Sequence, residues 1–292
     1  MSRDGPQAAS NARCLVVGHG SVGSFLAARL LAAGAAVSIL DPEPRIPIAA
    51  GRAVENPASL TAVDYVFSCV PAEASESVPA LVRPALVPDG VLFDWNTVSP
   101  AGKRRIAAAT EATTVDVALL DSVDAEVERP TLALSGPTAE HAAAVLEGFG
   151  FRAFVAGAEV GDAAALKYLR SIFMKGLEAL VLEYASLATD FGGAPIVRAS
   201  LKSNLGEQFV RFMDLLIATN RIHARRRSRE LADALATFSS DGVRPNVAAA
   251  SARVLRLAAE TWADESAPPV GADVSDLARH LRPVLWPEQH ST

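Results

Sequence analysis

Short apolar segments alternate with stretches of helical composition through the first half of the chain. Continuous apolar runs of this kind are typical of parallel strands that are covered on both faces. They predict strands at 14–17, 36–40, 65–70, 91–94, 114–120, 131–134 and 152–155. Segments between them predict helices at 25–33, 72–82, 103–110 and 137–149. This alternation predicts an α/β domain with a doubly wound parallel sheet.

The second half of the chain has helical composition without a further strand signal. Its apolar spacing predicts helices at 163–190, 196–219, 222–238, 246–263 and 273–282. The first of these is long and is followed by Gly192 and Gly193. We therefore expect an all-α C-terminal domain, preceded by the α/β domain and by a disordered tail. The predicted bounds are 1–11 for the tail, 12–158 for the α/β domain and 159–292 for the helical domain.

A glycine-rich turn directly follows the first predicted strand and leads into the first predicted helix. Its six residues are Gly18, His19, Gly20, Ser21, Val22 and Gly23. In such a G-x-G-x-x-G turn the first glycine permits the tight turn and the second lets the backbone approach a pyrophosphate. The third glycine lets helix and strand pack closely. The turn therefore predicts a Rossmann-type dinucleotide-binding domain, with the side chain of His19 expected to be an exposed loop residue.

An acidic residue follows the second predicted strand, where it favours NAD as the cofactor. Asp41 lies 18 residues beyond Gly23, where a carboxylate accepts both ribose hydroxyls of NAD and would repel the 2′-phosphate of NADP. Arg45 follows closely and leaves NADP open as the alternative. Three residues near the ends of later strands are also assigned to the cofactor site: Val70, Pro71 and Asn96.

Composition and charge exclude several classes of protein. The formal net charge of −6 argues against a general nucleic-acid or anionic-membrane binder. The sequence shows neither a membrane-length apolar run nor the apolar core of a signal peptide, so we expect a cytoplasmic protein. Cys14 and Cys69 fall in predicted core strands and are expected to be buried thiols. We see no cluster of metal-ligating residues in the sequence and expect no metal.

The long helix that opens the second half carries a polar stripe. At 100° per residue, five polar residues fall within an arc of roughly 140°. They are Lys167, Arg170, Ser171, Lys175 and Glu178. The remainder of the helix is apolar and is expected to be buried, with Tyr168 in the core. A lysine in the stripe could exchange a proton with a substrate oxygen. A structural Lys175–Glu178 network is the alternative.

Three motifs give the chain a resemblance to the β-hydroxyacid dehydrogenases, which include the 6-phosphogluconate and 3-hydroxyisobutyrate dehydrogenases. The motifs are the glycine turn, the loop Asp94–Pro100, and Gly161 followed six residues later by Lys167. The resemblance implies that Lys167 is the general acid/base on the interdomain helix. It also implies that the substrate binds between the two domains.

The chain departs from the pattern of this family at three places. Ser171 stands where the family has a substrate-orienting asparagine, and Asn96 and Thr97 replace a Ser-Thr pair. Ser122 and Val123 lie where the family has a glycine-rich substrate loop. By position, the resemblance makes these five residues candidates for substrate binding.

The helical half resembles a branch of the family in which an NAD-binding domain is joined to a helical domain of unknown function. The similar segments are 175–180 and the basic cluster of 223–230. Arg226 in this cluster, with Lys175, is a candidate anchor for a carboxylate or phosphate. Salt bridges from the cluster to Glu207, Asp214 or Glu230 are the alternative.

Together these features predict an NAD(P)-dependent oxidoreductase that moves hydride between nicotinamide and a small anionic hydroxy or oxo substrate. Two alternatives stay open. The first is imine reduction on the same fold, and the second is a dinucleotide-binding or sensor protein without catalysis. By analogy, the apolar interdomain helix predicts a homodimer.

Overall fold

A computed structural model of the chain describes most residues of both predicted domains. The described ranges are 11–44, 46–48, 50–60, 62–121, 123, 127–240 and 242–287. The chain divides into two compact units, Met1–Lys167 and Tyr168–Thr292. This division falls inside the long helix, whereas the sequence predicted a boundary just before it. Nearly all of the predicted tail lies outside the described residues.

The first unit is built on an eight-stranded sheet. Its strands are β1 (Arg13–Val17), β2 (Ala36–Leu40), β3 (Arg52–Ala53), β4 (Val63–Ser68), β5 (Leu86–Asp94), β6 (Thr113–Leu119), β7 (Thr131–Ser135) and β8 (Arg152–Gly157). They lie in the order β3-β2-β1-β4-β5-β6-β7-β8. Every neighbouring pair is parallel except β6 and β7, which are antiparallel. An antiparallel pair needs no crossover helix between its two strands. The prediction of a Rossmann-type α/β fold is confirmed.

Among the described residues of the first unit, α-helices follow several of the strands. They are α1 (Ser21–Ala32), α2 (Ala72–Ser75), α3 (Val78–Val82), α4 (Pro100–Ala108) and α5 (Ala139–Gly148). The single helix predicted at 72–82 is wrong, because α2 and α3 are separate. Pro79 lies in the first turn of α3, where its missing N–H is tolerated, whereas in a helix interior it would remove a hydrogen bond.

Apolar side chains cover both faces of the sheet. On one face, Phe67 and Phe93 stack with their ring centroids 5.0 Å apart, and Leu26 and Leu30 of α1 join the same cluster. The neighbouring positions on the strands alternate to the other face, where they pack with α3 in a second cluster. This double cover fixes the sheet and therefore the positions of the loops at its carboxyl edge.

The second unit consists of helices in the described part of the chain. They are α6 (Asp162–Ala188), α7 (Ala194–Leu205), α8 (Glu207–Ser240), α9 (Asn246–Thr261) and α10 (Val274–Leu285), with the start of α6 belonging to the first unit. The predicted break between 219 and 222 is wrong, since α8 continues through it. The break lies at Gly206, whose φ of 88° ends α7. Asn220 is instead buried inside α8.

The long helix α6 is less buried than its composition predicts. Tyr168 is buried, as expected, but Leu169, Phe173 and Leu180 are each more than half exposed, Phe173 to 68%. The prediction that the apolar sides of this helix are buried is therefore wrong for a single chain. None of the described helices is long and apolar enough to cross a membrane.

Candidate functional site

The glycine turn between β1 and α1 has the backbone geometry that its sequence predicts. Gly18 has a φ of 90°, and a Cβ there would lie 2.5 Å from the carbonyl oxygen of Cys69. A Cβ on Gly23 would lie 1.9 Å from the carbonyl oxygen of Gly18. At Gly20, by contrast, a Cβ would meet no described atom within 4 Å. Packing therefore requires glycine at positions 18 and 23, whereas Gly20 leaves the start of α1 open.

The carboxylate of Asp41 is hydrogen-bonded to this turn. Its Oδ2 accepts the backbone N–H of His19 at 2.6 Å, and its Oδ1 accepts that of Glu43 at 2.9 Å. A carboxylate oxygen has two acceptor sites, so both oxygens can still accept a hydroxyl. The residues present therefore fit the adenosine ribose of a dinucleotide. Arg45, the residue that left NADP open, lies outside the described residues.

The expectation that His19 has an exposed side chain is wrong. The residue is only 4% exposed, and its Nδ1 lies 2.9 Å from the carbonyl oxygen of Ile46. The sequence of the turn alone does not indicate this contact with Ile46. Through this contact the ring links Ile46 to the turn.

Asn96 supports the backbone at the carboxyl edge of the sheet. Its Oδ1 accepts the N–H of Val70 at 2.8 Å, and its Nδ2 donates to the hydroxyl of Ser68 at 2.8 Å and to Oδ1 of Asp94 at 2.6 Å. Both N–H donors of this buried amide are therefore used within the protein. Asn96 fixes Val70, which precedes the predicted cofactor residue Pro71. This geometry favours a positioning role for Asn96 over direct contact with a ligand.

The structure brings together two residues that the sequence placed in the substrate site. Nζ of Lys167, on α6, donates a hydrogen bond to Oγ1 of Thr97 at 3.1 Å. Both residues belong to the first unit. Thr97 is exposed and Lys167 is half-buried, so the pair is open to a small molecule. Because the threonine oxygen accepts from the ammonium, its own O–H proton can be donated to a third group.

A buried triad of charges that sequence analysis did not single out lies in the same unit. We call Lys103, Asp94 and Asp116 the triad. Lys103 is 1% exposed and both carboxylates are fully buried. Nζ of Lys103 lies 3.0 Å from Oδ1 of Asp116 and 3.3 Å from Oδ2 of Asp94. One signal was available: a charged residue such as Asp116 within an apolar strand requires a buried partner.

Two members of the triad, Lys103 and Asp94, have shifted pKa values. Burial acts to lower the pKa of Lys103, but the attraction of Asp116 and Asp94 outweighs burial, and this pKa is raised. The pKa of Asp94 is also raised, chiefly because the carboxyl is buried, although the charge of Lys103 acts to lower it. The ammonium is therefore held in its charged form at neutral pH.

The other predicted substrate residues are not brought to this pair by the described contacts. Ser122 lies outside the described residues, and Val123 is half-buried in a loop. Ser171 lies one helical turn after Lys167 in α6, within the second unit. Lys175 and Arg226 each form an ion pair with Glu230 at 2.7 Å. These pairs favour the salt-bridge interpretation of the basic cluster.

A second buried polar cluster lies inside the helical unit. Oε1 of Glu178 accepts from Asn220 at 2.6 Å and from Arg227 at 2.7 Å. Oδ1 of Asn220 accepts the indole N–H of Trp262 at 2.6 Å. In place of the Lys175–Glu178 network, which was the structural alternative for the polar stripe, Lys175 pairs with Glu230 and Glu178 pairs with Arg227. This cluster joins α6 and α8 to the residue that directly follows α9, and it gives the amide of Asn220 partners inside α8.

Two family models match separate parts of the chain. Residues 8–88 match a family described as "Putative NAD(P)-binding", and residues 188–258 match the domain of unknown function DUF1932. An uncharacterized 28.5 kDa protein in the 7S RNA 5′ region of Methanothermus fervidus is 31% identical over 157 residues. The match covers 53% of this chain and 61% of that protein.

Solved structures share the fold over nearly the whole chain. The conserved protein MTH1747, of unknown function and described as structurally similar to 3-hydroxyacid dehydrogenases, is 26% identical. Its TM-score is 0.71, over 85% of this chain and 97% of that one. The 3-hydroxyisobutyrate dehydrogenase of Mycobacterium tuberculosis, solved with L-serine, is 19% identical and has a TM-score of 0.74. The match covers 93% of this chain and 99% of that one. An imine reductase of Streptomyces aurantiacus is 19% identical and has a TM-score of 0.55. The match covers 91% of this chain and 98% of that one.

These matches agree with the resemblance that the motifs predicted. The first matched region contains the glycine turn and Asp41, and the second lies wholly within the helical unit. The chain thus combines an NAD(P)-binding type of domain with a helical domain of unknown function, on the fold of the 3-hydroxyacid dehydrogenase-like proteins.

Proposed function

We propose that the protein is an NAD(P)-dependent oxidoreductase that acts on a small anionic hydroxy or oxo substrate. The hydrogen bond between Lys167 and Thr97 carries this proposal. It places a proton donor and a hydroxyl side by side in the unit that also contains the glycine turn. Hydride transfer to or from a carbon–oxygen bond requires such a donor, because the oxygen changes its protonation state as the hydride moves.

The cofactor site uses backbone groups and one carboxylate. The N-cap residue of α1 is Gly20, which has no side chain to cap the first N–H groups of the helix, and its open position leaves them accessible to a pyrophosphate. Asp41 supports NAD as the preferred cofactor because its charge opposes a 2′-phosphate. When bound, the nicotinamide supplies or accepts the hydride.

The proton is handled by Lys167. In oxidation its amine, in the neutral form, takes the proton of the substrate hydroxyl. In reduction its ammonium returns a proton to the developing alkoxide. Thr97 holds Nζ in place by accepting one of its hydrogens, and its own hydroxyl can donate to the substrate. The remaining candidates for substrate contacts are Ser122, Val123, Ser171 and Lys175, with Arg226 as a candidate anion anchor.

Imine reduction is the second candidate function. The fold match to an imine reductase supports it, although at a lower TM-score than the match to the hydroxyacid dehydrogenase. A lysine at position 167 favours the hydroxy/oxo reaction, because its proton is delivered to an alkoxide. A dinucleotide-binding sensor protein is the third candidate, since Ser171 replaces the asparagine expected from the family.

A substrate screen separates these candidates. Purified protein is incubated with NAD or NADP and a panel of small 3-hydroxy acids, and with NADH or NADPH and a panel of oxo acids and cyclic imines. The change in reduced nicotinamide is followed by its fluorescence. We expect turnover with at least one hydroxy or oxo acid. Turnover of imines alone would favour the second function, and tight cofactor binding without turnover of any compound would favour the third.

A further inference from the structure

The triad contacts both of the elements that carry the Lys167–Thr97 pair. We propose that Lys103 is a positioning residue that holds Thr97 and Lys167 at hydrogen-bonding distance by joining the loop after β5 to the first turn of α6. The inference rests on the proposed function in treating that pair as the reacting centre. In this proposal Lys103, a buried residue, supports the reacting centre without being exposed to the substrate.

One branch of the triad leads to Thr97. Nζ of Lys103 donates to the backbone carbonyl of Asp94 at 2.7 Å, besides its ion pair with the side chain. Oδ1 of Asp94 in turn accepts the backbone N–H of Asn96 at 3.0 Å and its amide at 2.6 Å. Asp94 and Asn96, which precede Thr97 along the chain, are thus held by hydrogen bonds from both main chain and side chain.

The other branch leads to Lys167. Oδ2 of Asp116 accepts the backbone N–H of Ala164 at 2.9 Å and the hydroxyl of Ser135 at 3.2 Å. Oγ of Ser135 accepts the N–H of Ala163 at 3.0 Å. These are N–H groups in the first turn of α6, which have no partner within the helix itself. Because Lys167 follows Ala164 by one turn of the same helix, the start of α6 sets where its amine lies.

The chemistry of the triad favours positioning over stability alone. Burying three charges is costly, and well-packed apolar residues of similar volume are often as stabilising as a buried ion pair. An ammonium with three hydrogens can, however, hold two carboxylates and a carbonyl at fixed distances at once. No apolar side chain could join the two elements through directed bonds in this way.

The test measures the reactivity of the Lys167 amine by competitive acetylation and peptide mass spectrometry. The chain contains four lysines, so Lys202, which is exposed in the helical unit, serves as the internal reference. In Lys103→Met we expect the labelling of Lys167 relative to Lys202 to rise roughly 2- to 10-fold, the equivalent of one lost hydrogen bond. Thr97→Val, which removes the acceptor directly, should give a rise of the same size.

Two further variants separate positioning from loss of folding. Ile106→Ala deletes buried atoms one turn further along α4, outside the triad, and should keep the wild-type labelling ratio. Lys103→Met/Asp94→Asn/Asp116→Asn removes all three charges but keeps oxygen acceptors for the N–H groups of Asn96 and Ala164. It should fold and still show the raised ratio.

Each outcome of these measurements decides the proposal. An unchanged ratio in the triple variant would overturn it, as would a rise of equal size in Ile106→Ala. Unfolding of both Lys103 variants would also overturn it, since the triad would then be needed for the fold itself. The labelling does not depend on turnover. If Lys167→Ala kept full activity, the proposed function would fail while the positioning result would stand.

Discussion

The carboxylate of Asp41 accepts the backbone N–H of His19 at 2.6 Å, so the acidic end of β2 is bound to the glycine turn that follows β1. One residue therefore serves both the shape of the turn and its choice of cofactor. In Asp41→Asn the side-chain oxygen can still accept the N–H of His19, but the negative charge is lost.

We expect Asp41→Asn to shift cofactor preference toward NADP. Fluorescence titration of wild type should show tighter binding of NADH than of NADPH. In the variant the ratio of the two Kd values should change roughly 10-fold or more, because hydrogen bonds to a charged group are worth about 1.5–3 kcal/mol. Tighter binding of NADPH by the wild type would reassign specificity away from Asp41.

The two kinds of glycine in the turn should respond differently to alanine. Gly20→Ala places its methyl group in open space at a φ of −83°, so the melting temperature should stay near that of wild type while cofactor affinity falls. Gly23→Ala forces a Cβ against the carbonyl oxygen of Gly18 and should lower the melting temperature strongly. Equal cofactor affinity in Gly20→Ala and wild type would exclude the pyrophosphate from this turn.

Neighbouring arginines of the basic cluster provide a matched pair of variants. Arg226 is 60% exposed in its pair with Glu230, so Arg226→Ala should cost at most about 1 kcal/mol of unfolding free energy. Arg227 pairs with the buried Glu178, and Arg227→Ala should cost about 3–5 kcal/mol because it leaves that carboxylate unpaired. Urea denaturation measures both. If Arg226→Ala raised KM strongly while leaving stability unchanged, Arg226 would be a substrate anchor.

Lys103 gives the protein a defined response to high pH. Its pKa in the folded state is raised above the ordinary value of 10.5, so its stabilising contribution is complete below that value and is lost as the pH rises through the raised pKa. The unfolding free energy of wild type should therefore fall more steeply above pH 10.5 than that of the uncharged triple variant. Lys202→Met, at an exposed lysine, is the control and should follow wild type. Parallel curves for wild type and the triple variant would contradict the charge state assigned to Lys103.

The sequence predicted those parts of the fold that depend on local pattern. The observed bounds of β2 agree with the predicted bounds residue for residue, because its apolar run lies between Gly34 and Asp41. The glycine turn followed from spacing, and the family resemblance assigned both Lys167 and Thr97 to the substrate site without pairing them. The break at Gly206 was missed in favour of one near Asn220, since a buried polar residue in a helix resembles a loop residue until its partners are known.

The sequence did not indicate that the three charged residues of the triad lie together. Lys103 follows a loop after β5, and Asp116 lies on the neighbouring strand β6. Whether these charges meet depends on strand order and on the direction of α4, which local pattern does not determine. The exposed face of α6 shows the converse limit. Apolar composition predicts burial, but Phe173 is 68% exposed among the described residues.

Removal of the Lys167 amine shows whether this group transfers the substrate proton. With the best substrate from the screen, steady-state kinetics of Lys167→Ala should show kcat lowered roughly 10²- to 10⁴-fold, the usual contribution of a general acid/base. The Kd of the nicotinamide cofactor, titrated on the same preparation, should stay close to that of wild type because the glycine turn is untouched. A kcat equal to that of wild type would contradict the assignment of Lys167 as the proton donor and acceptor.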